Sequence, residues 1–534
     1  MKLIKNISRV AIFLETSQKT IRELLQGFLR HVHLLFLAIA LPALAQDFIT
    51  YEQFGAVGDG KADDQGAIVA AHAAANSRDL PVKAAPGRTY YIGGGDAVAI
   101  VKTDVDFGEA KFIIDDRSVK NPRAEIFLVA ASAAPVRLGG VRSLARGQTS
   151  LGIPLPGPSL VEARNSKVKQ FIRYGGNCNN GSDQQEVFLA DSNGVVDART
   201  PILNDFASVT ALVARPIDER TLVLKGGIFT TIANQERSTY KYHARGFSVA
   251  RSNVRMECLR HEVTGEGEHG APYGGFVSVH DCAHVVVTGC TFTAHRTYRT
   301  MGSGGVVVGM GSYDLSANKA IDVSYIDCRQ TTDILDRRYW GLFGSNFCRD
   351  LLFDGCSFSR FDAHQGVANA TIRNSRLGHM GINAIGYGVF RVENSTVYGR
   401  AFFNLRSDYG SFWNGDFVVK DCVFVPAGGD PTVGTLVAGS NNGKHDFGYA
   451  CGMPRRIVFD GLRIEDAKHP KNYSGPQIFG MFNKERTSDA YTEPYPYRVT
   501  EEVVLRRVST ASGKPVGIGP NSYMFRNVKI SRED

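Results

Sequence analysis

Proline is scarce in this chain, 20 residues in 534 beside 57 glycines, and that balance fits a turn-rich β protein better than a helical one. Past residue 45 there is no apolar run long enough to span a membrane, and no long amphipathic helical pattern. The nine cysteines contain no CxxC pair, and no Cys/His spacing matches a zinc site. A dinucleotide fold is excluded as well. GEGEHG at 265–270 has the glycine spacing, but Pro272 and further glycines follow where the fingerprint needs a helix, and HEVTG at His261 lacks the second histidine of a zinc-protease helix.

What the chain does have is a repeat. FDGCSF, IRNSRL, VENSTV and VKDCVF align on Cys356, Ser375, Ser395 and Cys422, at steps of 19, 20 and 27 residues. Related phrases end at Cys290 and Cys328 and recur around Asp460, Val504 and the last residues. Each copy is too short to bury its own apolar face, so neighbouring copies must stack into a continuous core. The expectation is a parallel β-helix. Cys282 precedes Cys290 by eight residues and Cys348 precedes Cys356 by eight, so each coil holds more than one strand.

Residues 1–45 read as an export signal, with six Lys/Arg, the apolar run LLFLAIALPALA and a small-x-small site at Ala43 and Ala45. This predicts a secreted or periplasmic protein starting near Gln46. Its removal takes six basic and two acidic residues from a net charge of +8 and leaves +4, a mild bias toward an acidic partner. Export would favour disulfides, but Cys282, Cys290, Cys348, Cys356 and Cys422 occupy repeat positions where other copies have Ser. That predicts mostly buried, free thiols.

After the signal, FGAVGDGKADDQGAI is followed by an Ala-rich helix from about Gln65 to Asn76. This phrase resembles the N-terminal cap of the pectate-lyase-like, polygalacturonase-like and phage-tailspike group of right-handed parallel β-helices, over about 45 residues. The resemblance implies an all-β solenoid with a capping helix and leaves the chemistry open. Asp59, Asp63 and Asp64 read as a loop aspartate and helix capping in preference to a metal cluster. The resulting division is a cap with first coils at 46–111, a β-rich insertion or irregular early coils at 112–250, and β-helix at 251–534.

In a solenoid, equivalent positions of successive coils form ladders. Setting the segments after each phrase in register places Tyr339, His364, Asn383 and Asn404 in one column and Arg360 and His379 in a second, with Arg400 close by. Arg338, Trp340, Gln365, Arg406, Asp408 and Tyr409 flank them, and His295 and Arg296 extend the patch two coils earlier. Charged side chains avoid solenoid interiors, so these are expected on one outer wall. Arginines interleaved with aromatics suit a linear polymer bearing carboxylates or sulfates.

The polygalacturonase-like hydrolases carry NTD, DD, GHG and RIK phrases; the coils at 251–534 have none of them, and GHM at Gly378 is a partial echo only. An inverting hydrolase also needs two carboxyls about 6.5–9.5 Å apart, and the central coils offer only Asp362 and Asp408, with Asp333 and Asp336 on a loop. β-Elimination at a uronic acid needs a neutralised carboxylate, a base and an acid. Arg406 or Arg360 with Asn383 and Gln365 supply the first, His364 or His379 the second, and Tyr339 or Tyr409 the third. Catalytic candidates are therefore His364, His379, Arg360, Arg406 and Tyr339. Substrate-binding candidates are Arg338, Trp340, Gln365, Asn383, Asn404 and Tyr409.

The reading is a polysaccharide lyase for an anionic, uronate-containing polymer of pectin, alginate or glycosaminoglycan type. A hydrolase of the same superfamily and a non-catalytic carbohydrate-binding solenoid are the alternatives. No cofactor and no metal ligand set are expected, with calcium as the alternative, and the chain is read as a monomer with no nucleic-acid partner.

Overall fold

The computed structural model describes residues 47–533; the segment read as an export signal lies outside them. Parallel pairing links 31 strands into one wound sheet. One face stacks Val254–Glu257, Ala283–Thr288, Ile321–Ile326, Arg349–Asp354, Val367–Arg373 and Gly386–Glu393. A second stacks Arg260–Thr264, Thr291–Phe292, Arg329–Gln330, Ser357–Gln365 and Arg376–Ala384. The third begins Phe247–Ala250, Gly274–His280, Tyr313–Asn318 and Phe343–Asn346. The architecture is a parallel β-helix. Among the described residues no helix is long and apolar enough to cross a membrane.

The repeated phrase has a backbone cause. The residue before each aligned Cys or Ser is left-handed: φ is 51° at Asp327, 67° at Gly355, 53° at Asn374, 47° at Asn394 and 50° at Asp421. Glycine takes that conformation freely, and Asn and Asp do so more readily than other residues, hence the composition of the turn. Each turn amide donates to the next coil, Asp327 to the Asp354 carbonyl at 2.8 Å and Gly355 to that of Arg373 at 3.1 Å. The following side chain completes the corner. The Cys356 amide donates to Ser375 Oγ at 2.9 Å and the Ser375 amide to Ser395 Oγ at 3.0 Å. The position thus calls for a small acceptor, which Ser and Cys both supply. All nine cysteines are free thiols. Burial pushes those of Cys348 and Cys422 up to about 12, so they stay protonated.

Inside the coils the apolar residues stack. Phe112 lies over Phe229 and Phe127 over Phe247, each with ring centroids 4.7 Å apart, and Phe403 over Phe417 at 4.0 Å. Alternation along a strand puts every second residue into this core, as Leu351 and Phe353 show. The capping helix, Gln65–Arg78, buries Ile68, Ala71, His72 and Ala75. Asp64 stands at its N-cap position, but its side chain does not cap the helix. The carboxylate instead accepts from the amides of Val57 at 2.6 Å, Gly58 at 3.2 Å and Tyr91 at 3.3 Å, fastening the glycine-rich loop to the first coil. Asp59 accepts from the Lys61 and Ala62 amides, and Asp63 from those of Gln65 and Gly93.

Between residues 112 and 250 the chain does two things. Strand Val105–Asp115 pairs directly with Leu222–Ile232, and Phe127–Ala130 pairs with Ala99–Val101 and Phe247–Ala250, so these pieces belong to coils. The residues between 131 and 221 leave the solenoid. They form a four-stranded antiparallel sheet from Val136–Arg137, Ala211–Pro216, Ser159–Gln170 and Ser182–Ala190. This excursion has its own core around Val161, Phe188, Phe206 and Leu212. It also docks on the coils: Leu160 and Val187 pack with Ala283 and Ile321, and Phe171 packs with Phe347, Ile385, Tyr409 and Phe412.

Candidate functional site

Strand Ser357–Gln365 positions the site. Phe358, Phe361 and Ala363 face the core, so Arg360, Asp362 and His364 share the opposite face at every second position. On a bare solenoid they would be exposed. Here the docked excursion and the 331–341 loop roof them, leaving Arg360 4% and Asp362 0% exposed. Arg360 Nη2 lies 2.5 Å from Asp362 Oδ2, and its guanidinium sits 5.3 Å from the Trp340 ring centroid. Arg406 Nη1 stands 3.7 Å from the same carboxylate oxygen.

A cleft of about 570 Å³ opens above this face. Three arginines line it, Arg173, Arg360 and Arg406, together with His364, Trp340, Tyr242 and Tyr313, and no carboxylate does. Arg173 arrives from the excursion, two residues after Phe171, whose burial against the coils fixes it. Asp408 sits behind two of these cations, with Oδ2 2.8 Å from Arg173 Nε and 2.6 Å from Arg406 Nη2. Burial opposes its charge, but Arg406 and Arg173 outweigh that and hold its carboxyl below the usual range. Burial likewise opposes the charge of Arg406, and the carboxylates of Asp362 and Asp408 outweigh it and hold the guanidinium charged.

His364 Nδ1 lies 2.8 Å from Asn346 Oδ1 and so carries the proton, leaving Nε2 with a lone pair 3.4 Å from the Tyr409 hydroxyl. Burial, then Arg406, Arg173 and Arg360, push the His364 pKa well below 6.5. The imidazole is therefore neutral at pH 7. Burial also pushes the Tyr242 phenol up, helped by neighbouring Tyr313 and Tyr240.

The structure divides the residues the sequence placed on one wall. His364, Arg360, Arg406 and Trp340 meet in the first cleft. Tyr409, expected at the substrate, is 1% exposed and lies behind it, flanked by the guanidiniums of Arg173 and Arg406 at 5.3 and 5.1 Å from its ring centroid. Gln365 is buried and accepts from Ser182 Oγ at 3.2 Å. Tyr339, His379, Asn383 and Asn404 line a second cleft of about 680 Å³, which Trp340 also borders. Arg338 belongs to a third, of about 490 Å³, and is paired with Asp336.

The column itself needs correcting. Asn383 and Asn404 are in register, but the residue beside Asn383 is Asp362 and not His364, and Arg360 pairs with Gly381 and not His379. Phe358 still faces Leu377, so two extra residues, taken up between Leu377 and Gly381, shift the ladder. Tyr339 is off the ladder altogether, bridged antiparallel to Arg296. His295 is buried, not part of a surface patch: Nδ1 is 2.9 Å from Glu266 Oε1 and Nε2 3.3 Å from Asp314 Oδ1. Arg173, Tyr242, Tyr313 and Asn346 were absent from the sequence reading. Only Tyr242 had a local signal, in YKY at 240–242 next to a resumed coil. Among the described residues, no group of three or more His, Cys, Asp or Glu side chains is placed to hold a metal ion.

No family model matches the chain. A stretch of 98 residues, 16% of the chain, is 30% identical to a Klebsiella phage protein described as a capsule KL64-specific depolymerase, and the match covers 10% of that protein's length. Among solved structures the chain is similar to the gp54 tailspike of Acinetobacter baumannii bacteriophage AP22, solved in complex with capsular saccharide. Identity is 10%, 88% of this chain and 74% of that one are covered, and the TM-score is 0.46. It is also similar to the A-module of a mannuronan C-5 epimerase from Azotobacter vinelandii, at 12% identity, 89% and 98% coverage and a TM-score of 0.38. A hyperthermoactive exopolygalacturonase from Thermotoga maritima gives 10% identity, 91% coverage of each chain and a TM-score of 0.37.

Proposed function

We propose that this chain is a secreted polysaccharide lyase that cleaves an anionic, uronate-containing polymer by β-elimination. The observation that carries the reading is the first cleft: three guanidiniums and a neutral imidazole converge, and no carboxylate faces the ligand space. The partial likeness to a capsule depolymerase supports a polysaccharide as the substrate.

Arg360, Arg406 and Arg173 are placed to take the uronate carboxylate, and a neutralised carboxylate acidifies the C5 proton beside it. His364 Nε2 removes that proton. The C5–H electrons form the C4=C5 double bond as the C4–O bond breaks, and the leaving oxygen takes a proton from the phenol of Tyr242 or Tyr313 on the cleft wall. Asn346 holds the His364 tautomer that makes Nε2 the base. Carboxylate binding also cancels part of the positive charge that depresses His364, so its basicity rises when substrate arrives. The two carboxyls a hydrolase would need are engaged: Asp362 beneath Arg360, and Asp408 between Arg173 and Arg406.

The test is incubation with pectate, alginate, chondroitin sulfate and hyaluronan. New ultraviolet absorbance from an unsaturated sugar, lost in His364→Ala, is the expected result. New reducing ends without absorbance would identify a hydrolase, and binding without any shortening a carbohydrate-binding solenoid.

A further inference from the structure

The second cleft has the chemistry of an anion site, although the elimination needs only the first. We infer that it is a binding subsite for another acidic group on the same polymer chain, so that the substrate carries negative charge on both sides of Trp340. This rests on the lyase reading for the identity of the polymer, but not for the site itself.

Arg337 and Arg400 line the second cleft, with His379, Asn383 and Asn404, and no carboxylate does. Arg337 is spent, since its Nη2 lies 2.5 Å from Asp430 Oδ2 and 3.0 Å from the Ala427 carbonyl. Arg400 is different. It is exposed and has no ion pair or hydrogen bond among the described residues. A guanidinium in a concave wall with no counterion nearby offers a two-pronged donor to an oxyanion.

The asparagines beside it are fixed. Asn404 Nδ2 donates to Asn383 Oδ1 at 2.6 Å, so neighbouring coils present paired amides at one height. His379 Nε2 donates to the Tyr339 carbonyl at 3.2 Å, which holds the ring against the cleft wall. Trp340 borders both clefts, and its buried indole N–H has no acceptor. One polymer chain can therefore cross Trp340, with a charged sugar on either side.

The test is affinity electrophoresis through gels containing alginate, pectate, hyaluronan or chondroitin sulfate. It uses His364→Ala as the background, so that nothing is cleaved. In the gel that retards this protein most, adding Arg400→Ala should weaken binding about tenfold and Arg400→Glu further, as expected for losing a charged hydrogen bond, with unchanged thermal unfolding. Raised salt should narrow the gap between the variants. Equal retardation of all three proteins, or no retardation in any gel, overturns the inference. Retardation that depends on Arg400 in a protein whose parent cleaves nothing would refute the lyase reading and leave the subsite standing.

Discussion

Arg360 reaches its place only because residue 341 has no side chain. A Cβ on Gly341 would stand 2.2 Å from Arg360 Cδ, 2.5 Å from its Cβ and 2.9 Å from its Cγ, and three successive atoms of one side chain cannot all step aside. In Gly341→Ala, either the 331–341 loop lifts or Arg360 leaves its position under Trp340. The first outcome is overpacking, at about 1–3 kcal/mol. The second strips Asp362 of its 2.5 Å partner at a position with no solvent exposure, and breaking a buried pair costs about 3–5 kcal/mol. We expect a loss on the order of 3 kcal/mol. The assay is a double-mutant cycle in urea with Arg360→Ala. Arg360→Ala removes Cγ and Cδ, the closest contact among them, and leaves the Cβ at 2.5 Å, so Gly341→Ala should cost on the order of 1 kcal/mol less in that background than in the parent. Additive effects of the two substitutions would refute the argument, since they would mean that Gly341 and Arg360 do not compete for the same space.

Because burial, and after it the arginines, depress His364 in the free protein, the acidic limb of kcat/KM should lie below pH 6.5, and that of kcat should lie at higher pH once a carboxylate covers the arginines; the reverse order in a pH–rate profile would refute the coupling. Arg173→Ala should lower kcat/KM by about a hundredfold, in line with loss of a buried charged contact, while leaving the urea midpoint of the coils nearly unchanged. His379→Ala should weaken polymer binding yet retain turnover, in contrast to His364→Ala, which should abolish it; steady-state kinetics with both variants separates the two clefts. Burial disfavours a charged His295, but Asp314 and Glu266 outweigh burial and raise it to about 9. A folded pKa above the unfolded one gives stability that is complete below about pH 6.5 and fades as pH climbs through 9, on the order of 3 kcal/mol in total. A falling unfolding midpoint across that window, flattened in His295→Gln, is the expected result.

The solenoid was legible because its causes are local and repeated. A left-handed corner every coil selects Gly, Asn or Asp, the next position selects a small acceptor, and together they produce FDGCSF, IRNSRL and VENSTV. Asn383 and Asn404 could be paired for the same reason. The register of His364 could not, because the two residues absorbed between Leu377 and Gly381 change no pattern of apolar residues and yet displace everything beyond them by two residues on the ladder. Arg173 was hidden for a deeper reason. It lies 187 residues from Arg360 in a segment with no repeat, and only the docking of Phe171 brings the two into one cleft. Burial was misjudged on similar grounds. The outward face of Ser357–Gln365 is outward with respect to its own coil, and nothing in that strand announces the roof above it.

The excursion leaves after Phe127–Ala130 and returns at Leu222–Ile232, and each of these already pairs with strands of neighbouring coils, so the solenoid's hydrogen bonding is complete without it, while the cleft is not. Scaffold and selectivity are thus held in separable stretches of one polypeptide. A chimera that exchanges residues 131–221 for a loop of different chemistry should keep its windings and change which sugar it admits, which makes this segment the place to begin redesigning the substrate range.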